Sequence, residues 1–127
     1  MDYEIDQTVA EVEVTVAIGP DGKPLKGPDG KPLIVCNPNP VLVSAPNTLL
    51  AFNLRTPGFH FKSTGAVVID GTFEDFPYPS WTLNPTTAAL FDKCDQYDRF
   101  AYTVTVTHDR TGEEFSVDPI IDNGVSM

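Results

Sequence analysis

Residues 100–107 read Phe-Ala-Tyr-Thr-Val-Thr-Val-Thr, and after the turn Asp109-Arg110-Thr111-Gly112 the chain returns as Phe115-Ser116-Val117. Bulky apolar residues alternate here with Ala and Thr, and this period of two is typical of a strand with one buried face. A polar, glycine-containing turn between two such segments predicts a β-hairpin.

The apolar residues of this hairpin also predict how its two strands pair. Placing Phe115 across from Val106 and Val117 across from Val104 puts all four side chains on the buried face. A slip of one residue would move one strand's apolar set to solvent, so this register is favoured.

The same register places the residues that follow Val117. It sets Asp118 opposite Thr103 on the outer face, and it brings Pro119 into the ladder. If the pairing continues past the proline, Asp122 faces Arg99 one step further along.

The rest of the chain repeats the strand pattern at short intervals. Residues 8–18 alternate strictly, and the tandem copies 19–25 and 27–33, each Gly-Pro-Asp-Gly-Lys-Pro-Leu, predict an extended hairpin loop. Residues 86–91 form the one segment for which we expect a helix, of a turn or two. The sequence predicts an all-β fold, an antiparallel β-sandwich of about seven to eight strands with immunoglobulin-like architecture. The further expected strands are 33–36, 41–44, 48–54, 59–62, 66–70 and 80–83.

Size and charge limit the classes of function. A chain of 127 residues is expected to be a single domain, residues 1–127. Its formal net charge of −10 argues against nucleic-acid and anionic-membrane partners, which require clustered Lys and Arg.

The start Met1-Asp2-Tyr3-Glu4 does not resemble a signal peptide, and no segment is long enough for a transmembrane helix. Two distant cysteines, Cys36 and Cys94, are expected to be buried or free thiols, so the expected location is the cytoplasm.

The Asp118-Pro119 bond is the feature with the clearest chemistry. Pro removes a ladder donor and Asp is depleted from strands, so the pair is unusual inside a strand pattern. An Asp carboxyl can attack its own carbonyl to form a five-membered anhydride and expel the proline nitrogen. Such attack reaches effective molarities of roughly 10⁵–10⁸ M when the geometry is fixed. The alternative is a harmless turn in which Asp caps the backbone and Pro fixes φ.

Self-cleavage of this bond requires an acid as well as the Asp118 carboxyl. Asp122 is the nearest candidate in the sequence, and Arg99 could hold a carboxylate ionised. Other carboxyls that folding could bring close are Asp70, Glu74, Asp75 and Asp109.

The segment Phe115-Ser116-Val117-Asp118-Pro119-Ile120-Ile121-Asp122-Asn123, near the end of a small all-β chain, resembles the DP-EP family, formerly a domain of unknown function. The resemblance implies a β-sandwich that cleaves its own Asp-Pro bond and self-assembles. It implies Asp118 and Pro119 as the scissile pair, residues 119–127 as the cleaved segment, and a catalytic aspartate that activates water, for which Asp122 is the candidate. It also implies covalent joining of the scissile aspartate to a lysine. No lysine occurs between Cys94 and Asp118, and Lys93 is the nearest amine.

The competing hypothesis is a non-catalytic binding or assembly module. Its surface would be the aromatic cluster of Phe73, Phe76, Tyr78 and Trp81, which alternatively fills one end of the core. A homo-oligomer formed through sheet edges fits both hypotheses. We expect no cofactor and no metal, because His60 and His108 lack partners at ligand spacing and residues 92–98 lack the Gly and Glu of a calcium loop. The sequence does not indicate whether a small molecule binds.

Overall fold

The computed structural model describes residues 8–28, 30 and 32–124. These residues form eleven strands and contain no helix, so the all-β prediction is confirmed. The strands are β1 (Thr8–Val16), β2 (Ile34–Asn37), β3 (Val41–Val43), β4 (Thr48–Leu54), β5 (Phe59–His60), β6 (Val67–Ile69), β7 (Trp81–Asn84), β8 (Thr87–Asp92), β9 (Asp98–His108), β10 (Glu114–Val117) and β11 (Ile120–Asn123). Within the described ranges there is accordingly no helix that could cross a membrane.

Two sheets build the sandwich. The first has the order β2-β1-β4-β8-β7. The second is organised around the long strand β9, which pairs with β10 and β11 along one edge and with β5 and β6 along the other. Strand β3 continues this sheet beyond β11. Most strand pairings are antiparallel, as expected for the predicted sandwich, but β1 with β4 and β3 with β11 are parallel, so both sheets are mixed.

One core lies between the sheets. The alternating residues of β1, Val12, Val14 and Val16, are all at most 2% exposed. They share a single apolar cluster with Tyr102 and Phe100 of β9. Burial of this kind contributes roughly 25 cal/mol per Å² of apolar surface and is the main stabilising term of the fold.

The helix expected over residues 86–91 is wrong, because this segment is strand β8. It pairs with β4 on one side and with β7 on the other. Ala88, Ala89 and Leu90 are each at most 1% exposed. A strand covered on both faces loses the polar-apolar alternation by which strands are recognised, and this explains the error.

The tandem loop agrees with its prediction where it is described. It joins β1 to β2, which pair antiparallel, and its two copies turn through matching bonds from Gly22 N to Gly19 O (3.0 Å) and from Gly30 N to Gly27 O (2.9 Å). Gly22 and Gly30 have φ of 79° and 78°, a conformation that side chains disfavour. Asp29 and Lys31 of the second copy lie outside the described residues.

Candidate functional site

The predicted register of the last hairpin is confirmed. Phe115 pairs with Val106 and Val117 pairs with Val104, as the buried apolar pattern required. The register then continues without a shift into β11, where Ile120 pairs with Ala101. The proline therefore interrupts the strand assignment at residues 118–119 without changing the alignment of the two strands.

Asp118 lies opposite Thr103, as the register predicted. The Thr103 hydroxyl donates a hydrogen bond of 2.7 Å to Oδ1 of Asp118. Asp118 is exposed, whereas Pro119 is buried, so the Asp118-Pro119 pair spans the boundary between solvent and the sandwich interior. One carboxylate oxygen of Asp118 is thus oriented by the neighbouring strand, at the residue that precedes the proline.

The backbone on both sides of the bond is held against β9. The Pro119 carbonyl accepts a bond of 3.1 Å from Tyr102 N, which makes this residue pair a hydrogen-bonding one. Pro has no N–H to return the bond, so the ladder lacks one hydrogen bond at the Pro119 nitrogen.

The Asp118 carbonyl points away from β9. In an antiparallel ladder the residues beside a hydrogen-bonding pair direct their backbone groups to the opposite edge. Ile120 follows this rule, because its N–H donates to Oδ1 of Asn39 at 3.0 Å. Asp118 must direct its carbonyl to the same edge, where it borders a surface cavity lined by Pro28, Ile34 and their neighbours.

Asp122 is placed opposite Arg99, as predicted, and the two side chains form an ion pair of 3.3 Å. The structure does not bring Asp122 to the Asp118-Pro119 bond. Four residues of extended strand separate it from Asp118, about 13 Å at the usual rise of a strand. Its carboxyl therefore does not reach the Pro119 nitrogen directly, and any influence of Asp122 has to act through the strand.

Three other carboxyls that were considered as acids also stay apart from Asp118. Asp70 is exposed and lies across β9, where its backbone N–H donates to Ala101 O at 2.9 Å. Glu74 is exposed in the loop before β7. Asp109 lies in the hairpin turn and pairs with His60, whose Nδ1 is 2.6 Å from its Oδ1.

Asp75 belongs to a buried polar cluster that the sequence did not reveal. The side-chain amide of Asn123 donates to Asp75 Oδ2 at 3.0 Å and to Asp92 Oδ1 at 2.9 Å. Asp75 is 3% exposed, and Asp92 and Asn123 are fully buried. Two further buried oxygens, Asp92 Oδ2 and Asn123 Oδ1, have no hydrogen-bond partner among the described residues. The three residues are distant in sequence, and no local pattern links them.

The electrostatics of this cluster are unusual for a protein core. Burial raises the pKa of the Asp92 carboxyl to about 6, against the hydrogen bonds from Asn123 and from the Cys94 backbone. Burial, together with the charges of Asp92, Asp75 and Asp95, raises the pKa of the Cys94 thiol to about 11. Cys94 also has a φ of 53°, in the left-handed region that non-glycine residues rarely adopt. Its N–H turns inward to Asp92 Oδ1 at 2.9 Å.

The described residues include neither a metal-binding cluster nor a lysine that pairs with Asp118. No three His, Cys, Asp or Glu side chains there are grouped so as to hold a metal ion. Lys93 lies 3.6 Å from Asp95. Lys62 pairs with Glu114 at 3.0 Å, four residues before Asp118 in the same hairpin strand. Both cysteines are free and buried, as predicted.

The predicted aromatic cluster divides into two parts. Phe73 and Phe76 each pack edge-on against Phe100, with ring centroids 4.9 Å apart. Tyr78 and Trp81 remain 61% and 40% exposed. Phe76 packs against the core, whereas Phe73 is 39% exposed and lies at the surface like Tyr78 and Trp81.

The fold and the site together define an all-β sandwich that carries an Asp-Pro bond inside a continuously aligned strand. Compared with known proteins, the sequence matches no protein-family model and no curated protein. The resemblance to the DP-EP family therefore stays a prediction that depends on residues 115–123.

Proposed function

We propose that this protein is a self-processing endopeptidase that cleaves its own Asp118-Pro119 bond once per molecule. The observation that carries the proposal is the Thr103 hydrogen bond of 2.7 Å to the Asp118 carboxylate. It orients the nucleophile, while pairing with β9 on both sides of the bond limits the motion of the backbone. Fixing a nucleophile beside its target is the main source of rate in an intramolecular reaction.

The chemistry follows from the two residues. A carboxylate oxygen of Asp118 attacks its own carbonyl carbon, and the bond to the Pro119 nitrogen breaks as the anhydride ring closes. The nitrogen takes up a proton and leaves as a secondary amine. Water then opens the anhydride, so the net reaction adds one water to the chain and leaves a free carboxyl at Asp118.

The leaving nitrogen requires a proton, and no described carboxyl lies in contact with it. Asp118 is exposed, so solvent can supply the water that opens the anhydride, and we propose that solvent also protonates the nitrogen once the buried Pro119 leaves the ladder. We therefore expect cleavage to be faster under mildly acidic conditions. The candidate catalytic role of Asp122 is limited by distance to holding β11 through its ion pair with Arg99.

The cleaved segment would remain attached to the fold. Its strand β11 is paired with both β9 and β3, and Ile121 and Asn123 are fully buried. A cleaved molecule would therefore keep its native size in solution and separate only on denaturation. Two buried free thiols, Cys36 and Cys94, fit a protein of a reducing compartment, and we propose the cytoplasm.

Denaturing intact-mass spectrometry of freshly purified protein, followed over time from about pH 4 to 8, tests the proposal. We expect a fragment that ends at Asp118 and a peptide that begins at Pro119. Asp118→Asn removes the carboxyl nucleophile and should abolish both species. Asp95→Asn makes the same chemical change at an exposed position and should cleave like the wild type. Unchanged cleavage in Asp118→Asn would disprove the anhydride route.

A second candidate function, binding or self-assembly without catalysis, is favoured by the exposed apolar residues of the edge strand β7. Leu83 and Trp81 of this strand are 60% and 40% exposed. Among the described residues β7 pairs with β8 alone, so its outer edge presents unpaired backbone groups. We propose that this edge joins copies of the chain.

Sedimentation velocity over a concentration series tests self-assembly through β7. Trp81→Ala should shift the equilibrium toward the monomer, because it removes an aromatic anchor from the contact. Leu42→Ala removes a side chain that is 64% exposed on β3, in the other sheet, and should leave association unchanged. A wild-type chain that is monomeric at all concentrations would exclude this function.

A further inference from the structure

We propose that the chain contains a second self-processing bond, Asn123-Gly124, at which the side-chain nitrogen of Asn123 attacks its own carbonyl carbon and releases residues 124–127. The products would be a chain ending in a C-terminal succinimide and the peptide Gly-Val-Ser-Met. This reaction uses a different nucleophile and a different bond from the cleavage at Asp118, and it does not require that cleavage.

Both N–H groups of the Asn123 side-chain amide are hydrogen-bonded to carboxylates, which can act as bases. Its two N–H groups donate to Asp75 Oδ2 at 3.0 Å and to Asp92 Oδ1 at 2.9 Å. This orientation of the amide is the one that two carboxylate acceptors require, since the opposite flip would direct Oδ1 at two negatively charged oxygens. An amide nitrogen is a poor nucleophile until a base removes a proton, and here two carboxylates are in contact with it.

The backbone N–H groups of Cys94, Asp95 and Gln96 also donate to these two carboxylates, at 2.9, 3.1 and 3.4 Å, and hold the loop after β8. This structural role does not account for the oxygens of the cluster that have no partner. Two carboxyls are buried side by side, and neither has an ion-pair partner among the described residues. Burying carboxylates without cations is costly, and Asp92 Oδ2 and Asn123 Oδ1 are also left without partners in the described part of the chain. Apolar residues could fill the same space at lower cost. A buried carboxyl pair in contact with a reactive side chain is typical of sites that perform acid-base chemistry.

The structure also disfavours the reaction that Asn-Gly sequences usually undergo. In deamidation the backbone nitrogen of the glycine attacks the asparagine side chain. Here Gly124 N donates a hydrogen bond of 2.9 Å to Val43 O, which continues the pairing of β11 with β3. That nitrogen is held away from the attack, whereas the side-chain nitrogen faces its bases. Folding therefore changes which of the two nitrogens reacts.

The cyclisation of Asn123 requires no proton from outside the cluster. As the bond from Asn123 Nδ2 to the backbone carbon forms, Asp92 accepts one proton from Nδ2. The bond from that carbon to Gly124 N breaks, and the departing nitrogen regains a proton, so no water is consumed. The Cys94 thiol lies beside the leaving group, since its Sγ is 3.4 Å from the same Val43 oxygen that Gly124 contacts. Water later opens the succinimide.

Intact-mass spectrometry under denaturing conditions, with the folded full-length protein incubated over days to weeks, tests the proposal. The Asp118→Asn chain is used beside the wild type, so that cleavage at Asp118 cannot mask the result. We expect fragment 1–123 one water lighter than its free acid, together with the released tetrapeptide. Intact chains in both samples, or a gain of about one mass unit from deamidation, would overturn the proposal.

Two variants separate the predicted chemistry from its alternatives. Asp92→Asn keeps an acceptor oxygen at the site but removes the base, and we expect at least about a tenfold slower cleavage. Asp75→Asn is the second test if the first variant fails to fold. Gly124→Ala suppresses attack by the backbone nitrogen, and its added Cβ would meet only the tip of the exposed Leu42 side chain at 3.2 Å. Cleavage should persist in Gly124→Ala. Equal rates in wild type and in folded carboxyl variants would contradict the assigned role.

Discussion

The hydroxyl of Thr103 donates to Oδ1 of Asp118 across 2.7 Å, from the strand directly opposite. This contact follows from the register of the last hairpin, because the two residues form a non-hydrogen-bonding pair whose side chains lie close together. The next non-hydrogen-bonding pair, two residues along, repeats it, with Thr105 Oγ1 and Ser116 Oγ 2.8 Å apart. Strand β9 therefore contains both a residue to test, Thr103, and a matched control, Thr105.

Thr103→Val should slow cleavage of the Asp118-Pro119 bond. Val has nearly the shape of Thr and a similar preference for strands, so the fold is kept while the hydrogen bond to the carboxylate is lost. A bond to a charged group is worth roughly 1.5–3 kcal/mol, so we expect cleavage to slow by about tenfold to a hundredfold. The fraction of cleaved chain is measured against time by denaturing mass spectrometry.

Thr105→Val is the matched control, because it removes a hydroxyl two residues along that does not contact Asp118. We expect it to cleave at the wild-type rate. Equal slowing in both variants would mean that the rate depends on general stability of the hairpin and not on the orientation of the carboxylate.

Asp122→Asn should leave cleavage at Asp118 within about twofold of the wild type, since about 13 Å of strand separates the two residues. The ion pair with Arg99 is 61% exposed on the arginine side, and a pair of this kind contributes at most about 1 kcal/mol. The rate is measured as for Thr103→Val. Loss of cleavage in this variant would instead identify Asp122 as the catalytic aspartate that the family resemblance implies.

The buried Asp92 predicts a stability that falls as the pH rises. The pKa of its carboxyl is about 6 in the fold, compared with 3.8 for an ordinary aspartate. Between these values the folded state binds more protons than the unfolded chain, so the free energy of unfolding decreases with increasing pH. The contribution of Asp92 is therefore most favourable below about pH 4, and its loss is complete somewhat above pH 6.

Asp92→Asn isolates this effect. Its amide cannot ionise, and its oxygen can still accept from Cys94 N and Asn123. The urea midpoint of the wild type, compared with that of the variant, should decline between pH 4 and 7. Parallel curves for the two proteins over this range would show that Asp92 does not hold its proton in the fold.

The hairpin that contains the candidate site could be predicted from the sequence, and physical reasons explain why. Its apolar residues recur with a period of two, and one register alone buries them all, so local pattern determines which residues face each other. Thr103 and Asp118 could therefore be paired before the structure was known. Strand β8 was missed because burial on both faces removes the same signal.

The buried cluster could not be predicted, because it depends on contacts between distant segments. Asp75 lies in a loop, Asp92 ends β8, and Asn123 enters the site through the parallel pairing of β11 with β3. Parallel pairing of this kind leaves no local pattern in the sequence. The sequence also does not distinguish a buried aspartate from a solvated one, and solvated aspartates are far more frequent.

The side chain of Tyr102 offers a test of the core whose readout is stability and not cleavage. Its side chain is fully buried at the centre of β9, with its ring 5.6 Å from that of Phe52. Burial raises the pKa of its hydroxyl, and this hydroxyl has no hydrogen-bond partner among the described residues. Tyr102→Phe should therefore raise the free energy of unfolding by about 1 kcal/mol, since it removes an unsatisfied polar group and keeps the ring. Tyr78→Phe, at a ring that is 61% exposed, loses a solvated hydroxyl and should change nothing. Urea denaturation followed by fluorescence measures both, and a clear destabilisation by Tyr102→Phe would mean that the hydroxyl is satisfied inside the core.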